Sequence, residues 1–149
     1  MTDKTKVVLD WDQEQRKIED EYKRKLLELK KLRQDNEMVD KILTRGILPT
    51  LVLNIINKQP SNGNEISTKI ADITQGAWQP STGGIYPILK KFEKQGFISG
   101  VWDDPDKRIK RIYTINEKGI EELDMQGENL INSLNKTVEV FSNIISSFK

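Results

Sequence analysis

The stretch from Trp11 to Leu43 constrains the fold more than any other part of the chain. It is half charged and holds neither glycine nor proline. Such a composition forms one long solvated helix, reaching about 50 Å at ~1.5 Å per residue. A seven-residue repeat runs through Trp11, Gln15, Ile18, Tyr22, Lys25, Leu29, Leu32, Asn36, Val39 and Leu43, and seven of these ten are apolar. Lys25 and Asn36 are the kind of seam residue that fixes register and strand number in a coiled coil. A helix this long cannot bury its own stripe. It lies on the rest of the protein as an amphipathic helix or pairs with another chain.

The end of the chain poses the same problem. Asn116 suits an N-cap and Glu117 suits a first helical turn. Beyond them Ile120, Leu123, Gly127, Leu130, Leu134, Thr137, Phe141, Ile144 and Phe148 form a second stripe. Gly127 marks a bend or a close crossing in it. Two sticky helices around a compact middle are the arrangement of a homodimer. Its contacts would be Ile120, Leu123, Leu130, Leu134, Phe141, Ile144 and Phe148. The chain then divides into an N-terminal helix (1–45), a middle domain (46–116) and a C-terminal dimerisation helix (117–149).

The middle reads as three short helices and a hairpin. Ile47, Leu48, Leu51, Val52, Ile55 and Ile56 make an apolar helix that Pro60-Ser-Asn-Gly63 stops. Ile66, Ile70 and Ile73 line one face of a second helix, broken by Gly76 and Pro80. A third starts near Ser81, points Ile85, Leu89 and Phe92 inward, and ends at Gly96. Phe97 to Trp102 predicts a strand, Asp103-Asp-Pro-Asp106 a turn, and Ile109 to Ile115 the returning strand. This is the order of a winged helix-turn-helix. The expected fold class is mostly α with a small β-hairpin, a winged helix flanked by long terminal helices.

Composition narrows the chemistry. The chain has 149 residues with no cysteine and no histidine. That excludes disulfides, thiolate metal sites and histidine-based nucleophilic catalysis. No pair of carboxylates or lysines is placed together by the pattern, so no enzyme, no cofactor and no metal site is expected. The acids at 103, 104 and 106 lack the downstream glycine and glutamate of a calcium loop. The longest apolar run, Ile47 to Ile56, is too short to span a bilayer. No signal-peptide core precedes the first acids, so a cytoplasmic protein without membrane contact is expected.

The net charge of +1 hides a gradient of +1, +3 and −3 over residues 1–45, 46–116 and 117–149. The middle is the part suited to a polyanion. In a helix-turn-helix the second helix enters the major groove and reads bases with its N-terminal residues. Here that helix presents Thr82, Tyr86 and Lys90 along one outer line, flanked by Lys91 and Lys94. Ser81 and Thr82 stand at its N-terminus, where backbone amides favour a phosphate. The hairpin adds Lys107, Arg108, Lys110 and Arg111, which suit the phosphate backbone. Its acidic tip either points away from DNA or leaves the contacts to the returning strand. Trp78 is expected as a core anchor under the turn. Trp11 and Trp102 are packing residues or the aromatic wall of a ligand pocket at a dimer interface.

The segment from Trp78 to Gly96 resembles the recognition-helix signature of the PadR family of winged-helix regulators. Pro80, Ser81, Tyr86, Pro87, Leu89 and Gly96 stand at matching positions. Gly63, Glu65 and Ile66 resemble that family's second-helix opening. Lys110, Arg111, Tyr113 and Gly119 resemble the end of its wing and the start of its last helix. Pro87 is tolerable near a first helical turn. The resemblance covers about residues 46–123 and, with its single short C-terminal helix, is to the smaller subfamily. It implies a cytoplasmic homodimeric repressor that binds a palindromic operator in double-stranded DNA. The DNA candidates it carries over are Ser81, Tyr86, Lys90, Lys110 and Arg111. Some members release DNA on binding phenolic acids or flat aromatic drugs, so the implied partners include a small aromatic effector. The chain departs from the family at Asn64, where an aromatic residue is usual, at Lys110 for arginine and at Asn116 for threonine. Its tail lacks the tryptophan of drug-binding members, and its N-terminal helix is longer than most. The alternative from another class is a winged-helix adaptor that docks proteins without specific DNA binding.

Overall fold

A computed structural model describes the backbone from Thr2 to Lys149 and the side chains of residues 10–31 and 43–149. The elements are α1 (Thr2–Gly46), α2 (Leu48–Lys58), α3 (Gly63–Ile73), α4 (Thr82–Lys94), β1 (Ile98–Trp102), β2 (Arg111–Ile115) and α5 (Glu117–Ser147). The fold is mostly helical with one antiparallel hairpin, a winged helix-turn-helix with a long helix at each end. The chain forms two units, Met1–Val39 and Asp40–Lys149.

The first unit is the part of α1 up to Val39, and the end of α1, Asp40 to Gly46, belongs to the second. Every described side chain from Asp10 to Lys31 is exposed, including Trp11, Ile18, Tyr22 and Leu29 of the predicted seam. The seam positions Leu32, Asn36 and Val39 lie outside the described residues.

The second unit holds the core. Leu48, Val52, Leu53, Ile55 and Ile56 of α2 are buried with Ile66 and Ile70 of α3 and Ile85, Leu89 and Phe92 of α4. Trp78, Phe97, Ile98 and Tyr113 complete the set. The apolar spacing of each short helix therefore marks the face that packs. Ile73 is the exception, 57% exposed. It is the last residue of α3, and the chain leaves the helix through Gln75 and Gly76 at φ of 53° and 80°. Thr74 locks this turn: its Oγ1 accepts from Trp78 N at 3.1 Å. That bond seats Trp78 in the core beneath the turn, as its position in the sequence predicts.

The caps set the helix entries. Asn62 Oδ1 accepts from Glu65 N at 2.9 Å to open α3, and Ser81 Oγ accepts from Gly84 N at 3.3 Å to open α4. Asn116 precedes α5 but its side chain does not cap it. Instead its Nδ2 donates to Gly96 O at 3.1 Å and its Oδ1 accepts from Ser99 Oγ at 3.1 Å. Asn116 thus ties the helix start to the wing root. Gly119 lets α5 begin there. A Cβ at 119 would meet Ile115 Cγ1 at 2.8 Å and overlap the Phe97 carbonyl.

In the hairpin, Ile98 pairs with Ile115, Gly100 with Tyr113 and Trp102 with Arg111. The returning strand starts at Arg111 rather than Ile109, which is 74% exposed in the loop. Ser61 adds an isolated antiparallel bridge to β2: its N donates to Tyr113 O at 3.2 Å and its O accepts from Tyr113 N at 3.0 Å. β2 thereby joins the α2–α3 connection to the wing.

Leu123 is buried and belongs to this core. Its burial removes it from the exposed stripe offered for a dimer contact, and α5 packs on α2. The rest of α5 is largely exposed.

Candidate nucleic-acid interface

The outer face of α4 follows from what its inner face buries. With Ile85, Leu89 and Phe92 turned inward, Tyr86, Lys90, Lys91 and Lys94 are exposed and Thr82 is half-buried. These five sequence candidates share one helix. Ser81, the sixth, spends its hydroxyl on the cap. The leading turn carries little bulk, because residues 83 and 84 are glycine. A Cβ at Gly83 or Gly84 would meet Ser81 Oγ at 3.8 or 3.7 Å, an ordinary contact. Neither glycine is demanded by packing or by a left-handed backbone. In a helix each costs about 1 kcal/mol against alanine. An outside body that approaches the backbone closely gives them a use.

Pro87 lies at the sixth residue of α4, beyond the first turn where its lack of N–H would cost nothing. It has no amide to return to the Gly83 carbonyl. Tyr86 is half exposed, and its ring lies across the start of α3. A Cβ at Gly63 would meet Tyr86 Cζ at 3.2 Å. Gly63 thus lets the base-reading candidate rest on the helix in front of it.

The wing tip is a closed turn. Asp104 Oδ1 accepts from Asp106 N at 3.0 Å and from Lys107 N at 3.3 Å. Asp103 Oδ1 accepts from Asp104 N at 2.7 Å. Two of the three acids are thereby occupied in shaping the turn. Lys107, Arg108 and Lys110 are exposed, with Arg108 at a φ of 49°. Among the described residues none of these three forms an ion pair.

Arg111 is placed differently from the other basic candidates. It lies on the inner face of β2, is about one-third exposed, and forms an ion pair with Glu93 of α4. Its guanidinium sits 5.5 Å from the Trp102 ring centre and 5.9 Å from that of Tyr113. The Glu93 hydrogen bond raises the Arg111 pKa above its ordinary value. Burial pushes the Tyr113 phenol up, with Arg111 opposing. Trp102 is therefore occupied by Arg111, while Trp11 stands 72% exposed on α1.

Glu93 and Gly100 are missing from the candidates that the sequence suggests. Glu93 is the one acid in a helix of lysines, and Gly100 interrupts a strand, which often marks a close approach. Those two signals were there to read. Lys69 Nζ lies 2.7 Å from Ser61 Oγ, a pairing that elsewhere activates a nucleophile. Here Ser61 is fully buried and its hydroxyl donates to Gln59 O at 2.8 Å, so no substrate reaches it.

Comparison with known proteins agrees with this geometry. Residues 52–125 match the family described as "Transcriptional regulator PadR-like family". The transcriptional regulator YqjI of Escherichia coli is 37% identical over 54 residues. That segment is 36% of this chain and 26% of that protein, so the match spans about a quarter of the curated relative. A transcriptional regulator from Clostridium thermocellum superposes with a TM-score of 0.57 at 26% identity, covering 66% of this chain and 93% of that one. A PadR-like transcriptional regulator from Bacillus cereus superposes with a TM-score of 0.52 at 28% identity, covering 64% of this chain and 95% of that one. A winged helix with an open, cationic second helix and a matched span from α2 into α5 place the chain, through residues 52–125, in the PadR-like family of transcriptional regulators.

Proposed function

We propose that the protein is a homodimeric, cytoplasmic repressor that binds a palindromic operator in double-stranded DNA. The observation that carries this reading is the exposed face of α4. It carries Tyr86, Lys90 and Lys94 along one line behind a leading turn that holds two glycines, and the wing adds the exposed cations Lys107, Arg108 and Lys110. Lysines neutralise phosphates and Tyr86 donates to a phosphate or base edge. One α4 reads one half-site. A two-fold dimer places two such helices about 34 Å apart, in successive turns of the major groove. The exposed stripe of α5 supplies a surface for that pairing. Leu130, Leu134 and Phe141 line an open apolar groove of about 530 Å³ with Leu43 and Ile47. The described helices include none long and apolar enough to cross a membrane.

The test is a titration of the full chain against the DNA upstream of its own gene at several salt concentrations. Binding to one palindrome well above random duplex is expected. Lys90→Ala is expected to weaken binding to all sequences alike and to reduce the salt slope by about 1 for each phosphate that is no longer neutralised. A wild-type chain that binds no duplex at low salt overturns the reading.

Gly83→Ala separates recognition from folding. Alanine at 83 fits without a clash and is expected to raise stability by up to about 1 kcal/mol. The same methyl is expected to weaken operator binding, because it stands where α4 meets the groove. Thermal melts and the duplex titration then move in opposite directions. A variant more stable and equally tight in binding removes α4's leading turn from the interface.

The exposed seam of α1 favours a second reading, in which the chain is an adaptor that docks another protein without specific DNA binding. Its discriminator is the salt slope, since a pure docking module gives none with duplex.

A further inference from the structure

We propose that Arg111 is a positioning residue that braces the wing against the recognition helix, and that Glu93 and Gly100 are the residues that make the brace. This deepens the DNA reading and rests on it. It also removes Arg111 from the phosphate contacts.

The slot is built from three elements. Gly100, Trp102, Arg111 and Tyr113 share the inner face of the hairpin, since Gly100 pairs with Tyr113 and Trp102 with Arg111. The Arg111 side chain crosses this face between two aromatic rings and ends on Glu93 of α4. Gly100 is the floor. A Cβ there would stand 2.9 Å from Arg111 Cζ and 2.9 Å from Tyr113 Cε1, and would overlap Arg111 Nε. The Gly100 backbone is not left-handed, so its conformation does not call for glycine. The crossing arginine does.

Charge supports the same assignment. Glu93 is the only acid in α4. An unpaired acid beside a phosphate track would repel it. Paired with Arg111 its charge is cancelled, and so is that of Arg111. The pair then contributes geometry rather than net attraction. The cations left for phosphate on the wing are Lys107, Arg108 and Lys110, which are exposed. Such a pair, about one-third exposed, adds little to stability. Its effect lies in direction, because the planar guanidinium bonds only along fixed lines. The wing root is already held by Phe97 against Phe92, ring centres 5.8 Å apart. The pair holds the other end of the hairpin, at the level of Trp102, and so sets the angle between the two DNA-facing elements.

The experiment compares Glu93→Gln, Arg111→Gln, the double variant and Gly100→Ala in the full chain, each first shown to melt cooperatively like the wild type. Glu93→Gln removes a negative charge from a DNA-facing helix, so simple electrostatics makes it bind tighter. The brace makes it bind more weakly, by about tenfold. Arg111→Gln is expected to lose the same factor, the double variant no more than either single one, and all with the wild-type salt slope. Gly100→Ala reaches the same loss without touching a charge. Glu93→Gln at or above wild-type affinity overturns the proposal. So does a slope that falls by about 0.9 per subunit in Arg111→Gln, which marks a phosphate contact. If the wild type binds no duplex, the DNA reading falls by itself. Fluorine NMR of Trp102, in chain labelled with fluorotryptophan and assigned with Trp102→Phe, then decides the brace. A shared shift in Glu93→Gln and Arg111→Gln supports it, and an unmoved resonance overturns it.

Discussion

Phe141→Asp is expected to convert the proposed dimer to a monomer and to cut operator affinity by about a hundredfold or more. Phe141 is 46% exposed on α5 and lines the apolar groove with Leu130 and Leu134. Phe141 is not one of the buried core residues among those described, so the folded monomer should tolerate the change. A second copy covering that face would bury the new carboxylate without a partner, which is costly. The helix is already acidic, with a net charge of −3 over residues 117–149. Each added acid therefore repels its symmetry mate. The large loss in DNA binding comes from linkage: a single α4 holds one half-site, and the gain from the second is forfeited. Sedimentation and duplex titration of the same sample check both parts. An unchanged mass moves the dimer interface off this stretch of α5.

Leu89→Ala is expected to destabilise the winged-helix unit by about 2–5 kcal/mol. Leu89 is fully buried in α4, among residues of α2, α3 and the hairpin that share the core. Truncation leaves a void that close-packed neighbours fill only in part. A small domain with about 5–15 kcal/mol of total stability loses much of its margin. The neighbouring Lys90→Ala offers the control. It lies one residue on, is exposed, and is expected to leave the unfolding midpoint within about 0.5 kcal/mol of wild type while weakening DNA binding. Denaturant unfolding of the pair checks it. If Leu89→Ala unfolds like the wild type, α4 does not pack as described.

The winged helix was legible because its signals are local and periodic. Ile85, Leu89 and Phe92 declare a buried face, and the residues between them declare the exposed one. Gly96, at a φ of 79°, declares a stop. Arg111 was not legible. It sits in a basic run with Arg108 and Lys110, and all look alike in sequence. Only folding brings Glu93, 18 residues earlier, against one of them. Asn116 has the composition of a cap, yet Gly96 and Ser99 claim its amide first. Ile73 fits the spacing of its helix but falls where the helix ends. Leu123 belongs to the apolar stripe of α5, and the stripe alone does not say where the chain's own core stops and an exposed surface begins. The described part of the α1 seam is exposed, and its spacing carries no information on what would cover it.

The exchange of bonds between Ser61 and Tyr113 gives the wing a mechanical gradient. A free two-stranded hairpin is only marginally stable in water. Here its returning strand is stitched at Tyr113 to the connection between α2 and α3, and its first strand grows directly out of the end of α4. The root therefore shares the stiffness of the domain. Beyond Trp102 no such stitch is present among the described residues, and residues 105–110 are exposed throughout. The hairpin is a cantilever, clamped at its base and compliant at its cationic end. In the proposed DNA complex, a cantilever of this kind would let the tip follow a phosphate ridge as the groove widens or narrows, while α4 keeps its register.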